Sequence, residues 1–191
     1  LTIEDVRYVL ASHYQGTPYD PYGSRGTRES RAAYRPIGIN RNSQLAVLQL
    51  RPYAPASACA IQWMSFGSNA FNTLVPLYAN VHAFPAYLET TEERVSTESF
   101  YWANRLIGAL ADARFHENEA AVDRYREKVG AFGHRVLRET EEQLTAIPEG
   151  GQDIPVVLEA ANARMATFLR RETDALLASV LQTTSLAMKN H

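Results

Sequence analysis

The sequence predicts an α+β chain in which a helix, a long loop and a few strands precede an all-helical second half. Three observations carry this. Apolar residues alternate or run on continuously between 37 and 66, at the spacing of strands. From 98 onward they recur every three or four residues, at the spacing of helices. Gly and Pro cluster in 15–36 and again at 148–151, where neither period holds. At 191 residues, 46% apolar and 21% charged, the chain has material for one sizeable core or two small ones. That balance excludes wholesale disorder. No run approaches the roughly 18 apolar residues of a membrane span.

The elements follow in order. Leu1 to Tyr14 reads as a helix, with Ile3, Val6, Val9 and Leu10 on one face and a capping-box spacing of Thr2 to Asp5. Leu1 and Val6 are placed to staple that cap. A chain that opens directly on a capped helix is expected to be part of something longer. Residues 15–36 read as an ordered loop with turn signals at Pro18 and Asp20-Pro21. Ile37 and Ile39 suggest a strand, Asn40-Arg41-Asn42 a turn, and Leu45 to Leu50 a second strand in a hairpin with the first. Ala58 to Phe66 reads as a third. The runs are nearly continuous, so a sheet covered on both faces is expected. Glu98 to Arg114 is a helix, and Asn118 is placed to cap the next, which carries Val122, Tyr125, Val129, Phe132, Val136 and Leu144. Pro148 to Gly151 breaks it. A last helix starts near Pro155, a favourable first-turn proline. These two long helices are expected to pack antiparallel. No repeat or linker divides the chain, so residues 1–191 form a single or partial domain, with 1–90 holding helix, loop and strands and 91–191 the long helices.

Composition narrows the chemistry. There are 19 basic and 21 acidic residues, a net charge of −2, which argues against non-specific nucleic-acid binding. The one cysteine, Cys59, excludes an internal disulfide and a cysteine-rich zinc site, and fits a reducing, cytoplasmic compartment. It sits in an apolar run, where a thiol behaves as a small inert hydrophobe; the alternative is a reactive thiol. His13, His82, His116, His134 and His191 make no metal-ligand spacing, so no metal is expected. No GxSxG, P-loop or GxGxxG occurs.

Two stretches stand out. Arginines 25, 28, 31, 35, 41 and 51 face one acid, Glu29. They read as a carboxylate-binding pocket, as a nucleic-acid surface with Tyr34 and Tyr53, or as ordinary surface. After Gly67 the cluster Ser68, Asn69, Asn72 and Thr73 offers donors for an oxyanion or an amide substrate. The same residues could instead satisfy their own backbone.

Several blocks in order resemble the bacterial dipeptidase A family. They are His13-Tyr-Gln-Gly-Thr-Pro-Tyr-Asp20, Tyr34-Arg-Pro-Ile-Gly-Ile-Asn-Arg41, Leu48-Gln-Leu-Arg51, Trp63 with Phe66-Gly-Ser-Asn-Ala-Phe-Asn72 and Val75-Pro76, and Ser96-Thr with Phe100-Tyr-Trp-Ala-Asn-Arg105. They cover roughly residues 6–115. The resemblance implies a cysteine peptidase of the N-terminal-nucleophile hydrolase superfamily, with a four-layer αββα fold and no metal or cofactor. Its substrates would be dipeptides, and its nucleophile the thiol of an N-terminal cysteine whose own α-amine is the base. Only the C-terminal part of such an enzyme is matched. No position here matches the nucleophile: Leu1 cannot serve, and Cys59 is internal and has no α-amine. The chain alone is expected to be inactive. By family position Arg35 is the candidate for assisting the thiol, with Arg41 second. Arg41, Asn72 and Ser68 are the candidates for holding substrate. An arginine gripping the dipeptide's α-carboxylate would select short peptides. The expected partners are the missing N-terminal portion and a second copy, because part of a sandwich leaves an apolar face and a strand edge bare. Neither nucleic acid nor a membrane is expected. The alternative is a non-enzymatic helical interaction module on the same scaffold; an RNA-binding domain is a remote third.

Overall fold

The computed structural model describes residues 1–89, 93–148 and 150–188. The order is α1 (Ile3–Leu10), α2 (Arg28–Arg31), β1 (Gln44–Leu50), a 3-10 turn (Ala56–Ala58), β2 (Ala60–Phe66), β3 (Val75–Tyr78), α3 (Ala86–Glu89), α4 (Phe100–Asp112), α5 (Phe115–Leu144) and α6 (Ile154–Leu186). This is the expected α+β arrangement, a small sheet followed by a helical half.

α1 starts on the capping box that Thr2 and Asp5 predict. The Asp5 N–H donates to Thr2 Oγ1 at 3.1 Å and the Thr2 N–H to Asp5 Oδ2 at 2.8 Å. Leu1 is fully exposed, so the staple does not form. The strand expected at Ile37 and Ile39 is absent. Gly38 donates its N–H to Ser12 O at 2.9 Å, and a Cβ there would lie 2.5 Å from the Ala11 carbonyl carbon. Only glycine lets the segment lie this close on the end of α1. The turn foreseen at 40–42 does form, closed by Asn42 N–H to Ile39 O at 3.0 Å.

The sheet is antiparallel throughout, in the order β1-β2-β3. The hairpin is therefore β1 with β2, joined through 51–59. The third strand is β3, which Pro76 hides from a sequence reading because proline argues against a central strand. β3 is an outer strand, and its free edge is closed by design. The Tyr78 N–H donates to Asn162 Oδ1 at 3.0 Å, and Asn162 Nδ2 donates to Tyr78 O at 2.9 Å. Two residues back, Pro76 has no N–H to offer, and its ring lies against Gly133. At the other edge, Ser43 and Arg51 turn their backbone groups toward β2, accepting from Gly67 N–H at 3.0 Å and donating to Cys59 O at 2.7 Å. By the period of two, residues 44, 46, 48 and 50 turn theirs outward.

Burial follows the same gradient. β3 is buried on both faces, β2 on one, and β1 only partly. Ile61, Trp63 and Tyr78 pack on Val136, Leu144 and Leu158 from α5 and α6. Val75 and Leu77, on the opposite face, pack with Phe100, Ile107, Val129 and Met165. Coverage on both faces thus holds at β3 and fails at β1, where Leu48 and Leu50 are each 77% exposed.

The long helices run antiparallel, as expected. Tyr125 meets Thr173, Phe132 stacks on Phe168 at 3.9 Å, and Glu139 pairs with Arg164, so numbers rise on α5 as they fall on α6. α4 runs parallel to α6, with Glu98 beside Arg170 and Leu110 beside Thr184. Pro155 sits in the first turn of α6. Asn118 is not a cap: it is buried in the first turns of α5 and donates to Arg114 O at 2.8 Å. Among the described residues no helix is long and apolar enough to cross a membrane.

Candidate functional site

The loop after β2 is built from the backbone outward. Gly67 has φ +76, a turn that favours glycine, and sends the chain under α4. Ser68, Asn69, Asn72 and Thr73 are all buried. Asn72 Nδ2 donates to Phe66 O at 3.0 Å and Gly67 O at 3.2 Å, and Asn69 Nδ2 to Leu10 O at 3.2 Å. Arg126 of α5 reaches beneath the loop. Its Nε donates to Asn72 O at 3.0 Å and its Nη2 to Asn69 O at 3.2 Å and to Ala70 O. Burial, then the nearby Arg7 guanidinium, lower the Arg126 pKa to about 10, so it stays charged at neutral pH. The loop is held by its own amides and one guanidinium.

Ser68 faces the other way. Its Oγ donates to Asn40 Oδ1 at 2.9 Å. Asn40 Nδ2 donates to Tyr22 OH at 2.6 Å and to Asp112 Oδ1 at 2.5 Å, and Tyr22 OH also donates to Asp112 Oδ1 at 2.5 Å. Burial raises the Tyr22 pKa above the ordinary phenol range, and the bond to Asp112 adds to this. The phenol is therefore a fixed donor. Its ring stacks on Phe115 at 4.0 Å. His13 stands edge-on to both rings and pairs through Nδ1 with Asp20 Oδ1 at 2.9 Å. The network opens into a groove of about 120 Å³ that Arg105, Gly108 and Ala109 of α4 complete.

The arginines divide. Arg51 is buried, pairs with Glu141 and donates to Ala58 O at 2.6 Å. Arg25 and Arg31 hold the carbonyls of Gly16 and Gly23. Arg35 and Arg41 are exposed, and among the described residues neither has an ion-pair partner. Arg35 is placed by its backbone: Tyr14, at φ +64, donates its hydroxyl to Arg35 O at 2.9 Å. Of the four residues singled out from sequence, Ser68 lies in the groove beside Asn40, one residue from Arg41. Asn72 lies behind it in the loop. Arg35 does not line the groove. Sequence reasoning missed Asp112, Tyr22 and Asn40 as one network. The only signal was that Asn40 lies inside one of the quoted blocks and Tyr22 two residues beyond another.

Two larger clefts, of about 310 and 370 Å³, lie along the seam of α1 and α5 and share Arg7, Asp123 and Arg126. His134 closes one end through Glu4 at 2.7 Å. Cys59 is half-buried in the hairpin connection. Among the described residues no three His, Cys, Asp or Glu side chains converge to hold a metal; His191 lies outside them.

Residues 1–128 match Peptidase family C69, and the chain belongs to that family. The relatives it matches carry a narrower name. A dipeptidase of Bifidobacterium longum (strain NCC 2705) is 49% identical over 226 aligned residues, covering 100% of this chain and 42% of the relative. A probable dipeptidase A of Streptococcus pyogenes serotype M3 is 48% identical over 190 residues, covering 100% of this chain and 40% of the relative. Dipeptidase A of Lactobacillus helveticus is 35% identical over 181 residues, covering 95% and 38%. The chain spans about two fifths of the length of these relatives.

Proposed function

We propose that this chain is the C-terminal part of a cysteine dipeptidase of the N-terminal-nucleophile class. The observation that carries the reading is that dipeptidases match the chain end to end at up to 49% identity. The chemistry fits. The one thiol, Cys59, is internal and has no α-amine beside it. The nucleophile comes from the remainder of the polypeptide, as the terminal cysteine. Its thiol adds to the scissile carbonyl and passes its proton to its own α-amine. The C–N bond breaks as that proton moves to the leaving amine, and water then releases the acyl group from sulfur. This chain supplies the surface on which the substrate is held. Arg35 and Arg41 are exposed and have no ion-pair partner among the described residues; Arg35 is suited to assist the thiol and Arg41 to hold the substrate. Asn72 and Ser68 set the loop that backs it.

The remainder of the polypeptide adds its strands at β1. β3 is closed by Asn162 and Pro76, whereas β1 turns four residues of free backbone outward beside Leu48 and Leu50. Growth at that edge toward a four-layer αββα sandwich covers the bare face. A second copy packs on what stays apolar, and the enzyme works in the cytoplasm without metal or cofactor. The test is a substrate panel on the full gene product. Dipeptides are cleaved, while tripeptides and longer peptides are cleaved at least tenfold more slowly. A product that cleaves none of them, or cleaves long peptides equally well, overturns the reading.

A further inference from the structure

A dipeptide differs from every longer peptide in one respect: its ammonium and its carboxylate lie within about 7 Å of each other, two residues of extended chain. A site that selects dipeptides therefore needs an anion and a cation, both free, about one dipeptide apart. The groove beside Ser68 has that arrangement. Both donors that reach Asp112, from Tyr22 and Asn40, go to Oδ1. Among the described residues Oδ2 receives no bond, and no cation neutralises the carboxylate. Arg105 lines the same groove and has no ion-pair partner among the described residues.

The two charges stand on one helix, seven residues apart. Two turns of α-helix return them to the same face with about 10.5 Å between their Cα atoms. Between them lie Gly108 and Ala109, which leave the floor low. The pair is thus close enough to share one small zwitterion. The carboxylate is also fixed in place. Tyr22 is clamped by Phe115, and Asn40 by Ser68, so Asp112 is held by groups that are themselves held.

We propose that this groove binds the two charged ends of a dipeptide, Asp112 taking the α-ammonium and Arg105 the α-carboxylate. The identity of the ligand rests on the dipeptidase reading; the charge pair does not. The test uses the full gene product with Asp112→Asn and Arg105→Gln. Asn keeps an Oδ1 acceptor for Tyr22 and Asn40, so the fold is spared. For each variant, kcat/KM is measured on L-alanyl-L-alanine, its N-acetyl derivative and its C-terminal amide. Asp112→Asn is expected to lower the preference for the free amine over the N-acetyl form at least tenfold. Arg105→Gln does the same for the free acid over the amide, the scale of a lost charge-assisted bond. Equal losses on all three substrates, or none, overturn the proposal.

Binding is read separately. L-alanyl-L-alanine is titrated by calorimetry into thiol-alkylated protein, and both variants raise Kd at least tenfold. Absence of binding to the alkylated wild-type protein also overturns the proposal. If the wild-type protein binds the dipeptide through these two residues but does not cleave it, the groove stands and the dipeptidase reading falls. If it cleaves dipeptides with its preferences unmoved by either variant, the reading stands and the groove falls.

Discussion

Asn162 and Arg126 each satisfy more than one buried backbone group. Asn162 pairs with both backbone groups of Tyr78, and Arg126 with three carbonyls of the 69–72 loop. Removing either leaves buried polar groups unpaired. Asn162→Ala is expected to destabilise the chain by about 2–6 kcal/mol, read from urea unfolding, since two buried backbone groups lose their partners at about 1–3 kcal/mol each. Arg126→Lys is expected to recover little of the loss seen in Arg126→Met, because a point ammonium cannot reproduce a fork aimed at three oxygens. Neither residue was legible in sequence. Arg126 lies more than fifty residues from the loop it holds, too far for a local pattern to connect them. The cluster at 68–73 was legible, because small polar residues after a strand-ending glycine among aromatics are rare. The backbone-satisfying reading holds for Asn69 and Asn72, while Ser68 turns toward the groove. Asp112 and Tyr22 meet across 90 residues of sequence, a distance no local pattern spans.

At the scale of elements, α5 carries a built-in contrast. Gly130 and Gly133 stand one turn apart. A Cβ at Gly130 meets nothing within 4 Å, whereas one at Gly133 would lie 2.9 Å from the Pro76 ring. Gly130→Ala is expected to stabilise by about 1 kcal/mol, the ordinary helix-propensity gain. Gly133→Ala is expected to destabilise by about 1–3 kcal/mol, because α5 must back away from β3. Thermal unfolding of the two variants should move in opposite directions; a shared sign would mean that α5 does not sit on Pro76. The long helices were legible because period and length agree. Val122, Tyr125, Val129, Val136 and Leu144 are buried as their spacing requires, and Phe132 is the half-buried ring that stacks on Phe168. The strands were less so. Pro76 disguised β3, and Ile37 and Ile39 mimicked a strand, because whether four apolar residues extend depends on what Gly38 lies against.

At the scale of the whole molecule, the sheet has one finished edge and one open edge. β1 is seven residues long with no charge or proline, features that natural edges ordinarily use to prevent pairing. The isolated 191-residue chain is therefore expected to self-associate with rising concentration in sedimentation velocity, and Leu48→Lys with Leu50→Lys to suppress this. A wild-type chain that stays monomeric across the same range would count against an open β1 edge. The α+β class and helical half could be read from period alone. The open edge could be foreseen only through the family resemblance, because period does not say how many strands a sheet has.

In the proposed division of labour this chain holds substrate while a cysteine elsewhere in the polypeptide does the chemistry. The most direct measurement is dipeptide hydrolysis by the full gene product during thiol alkylation, with the alkylated residue mapped by mass and Cys59→Ser run in parallel. Loss of activity is expected to track modification of a terminal cysteine outside this chain, and Cys59→Ser to keep full rate. Activity that falls with modification of Cys59, or that Cys59→Ser abolishes in a folded protein, would contradict it.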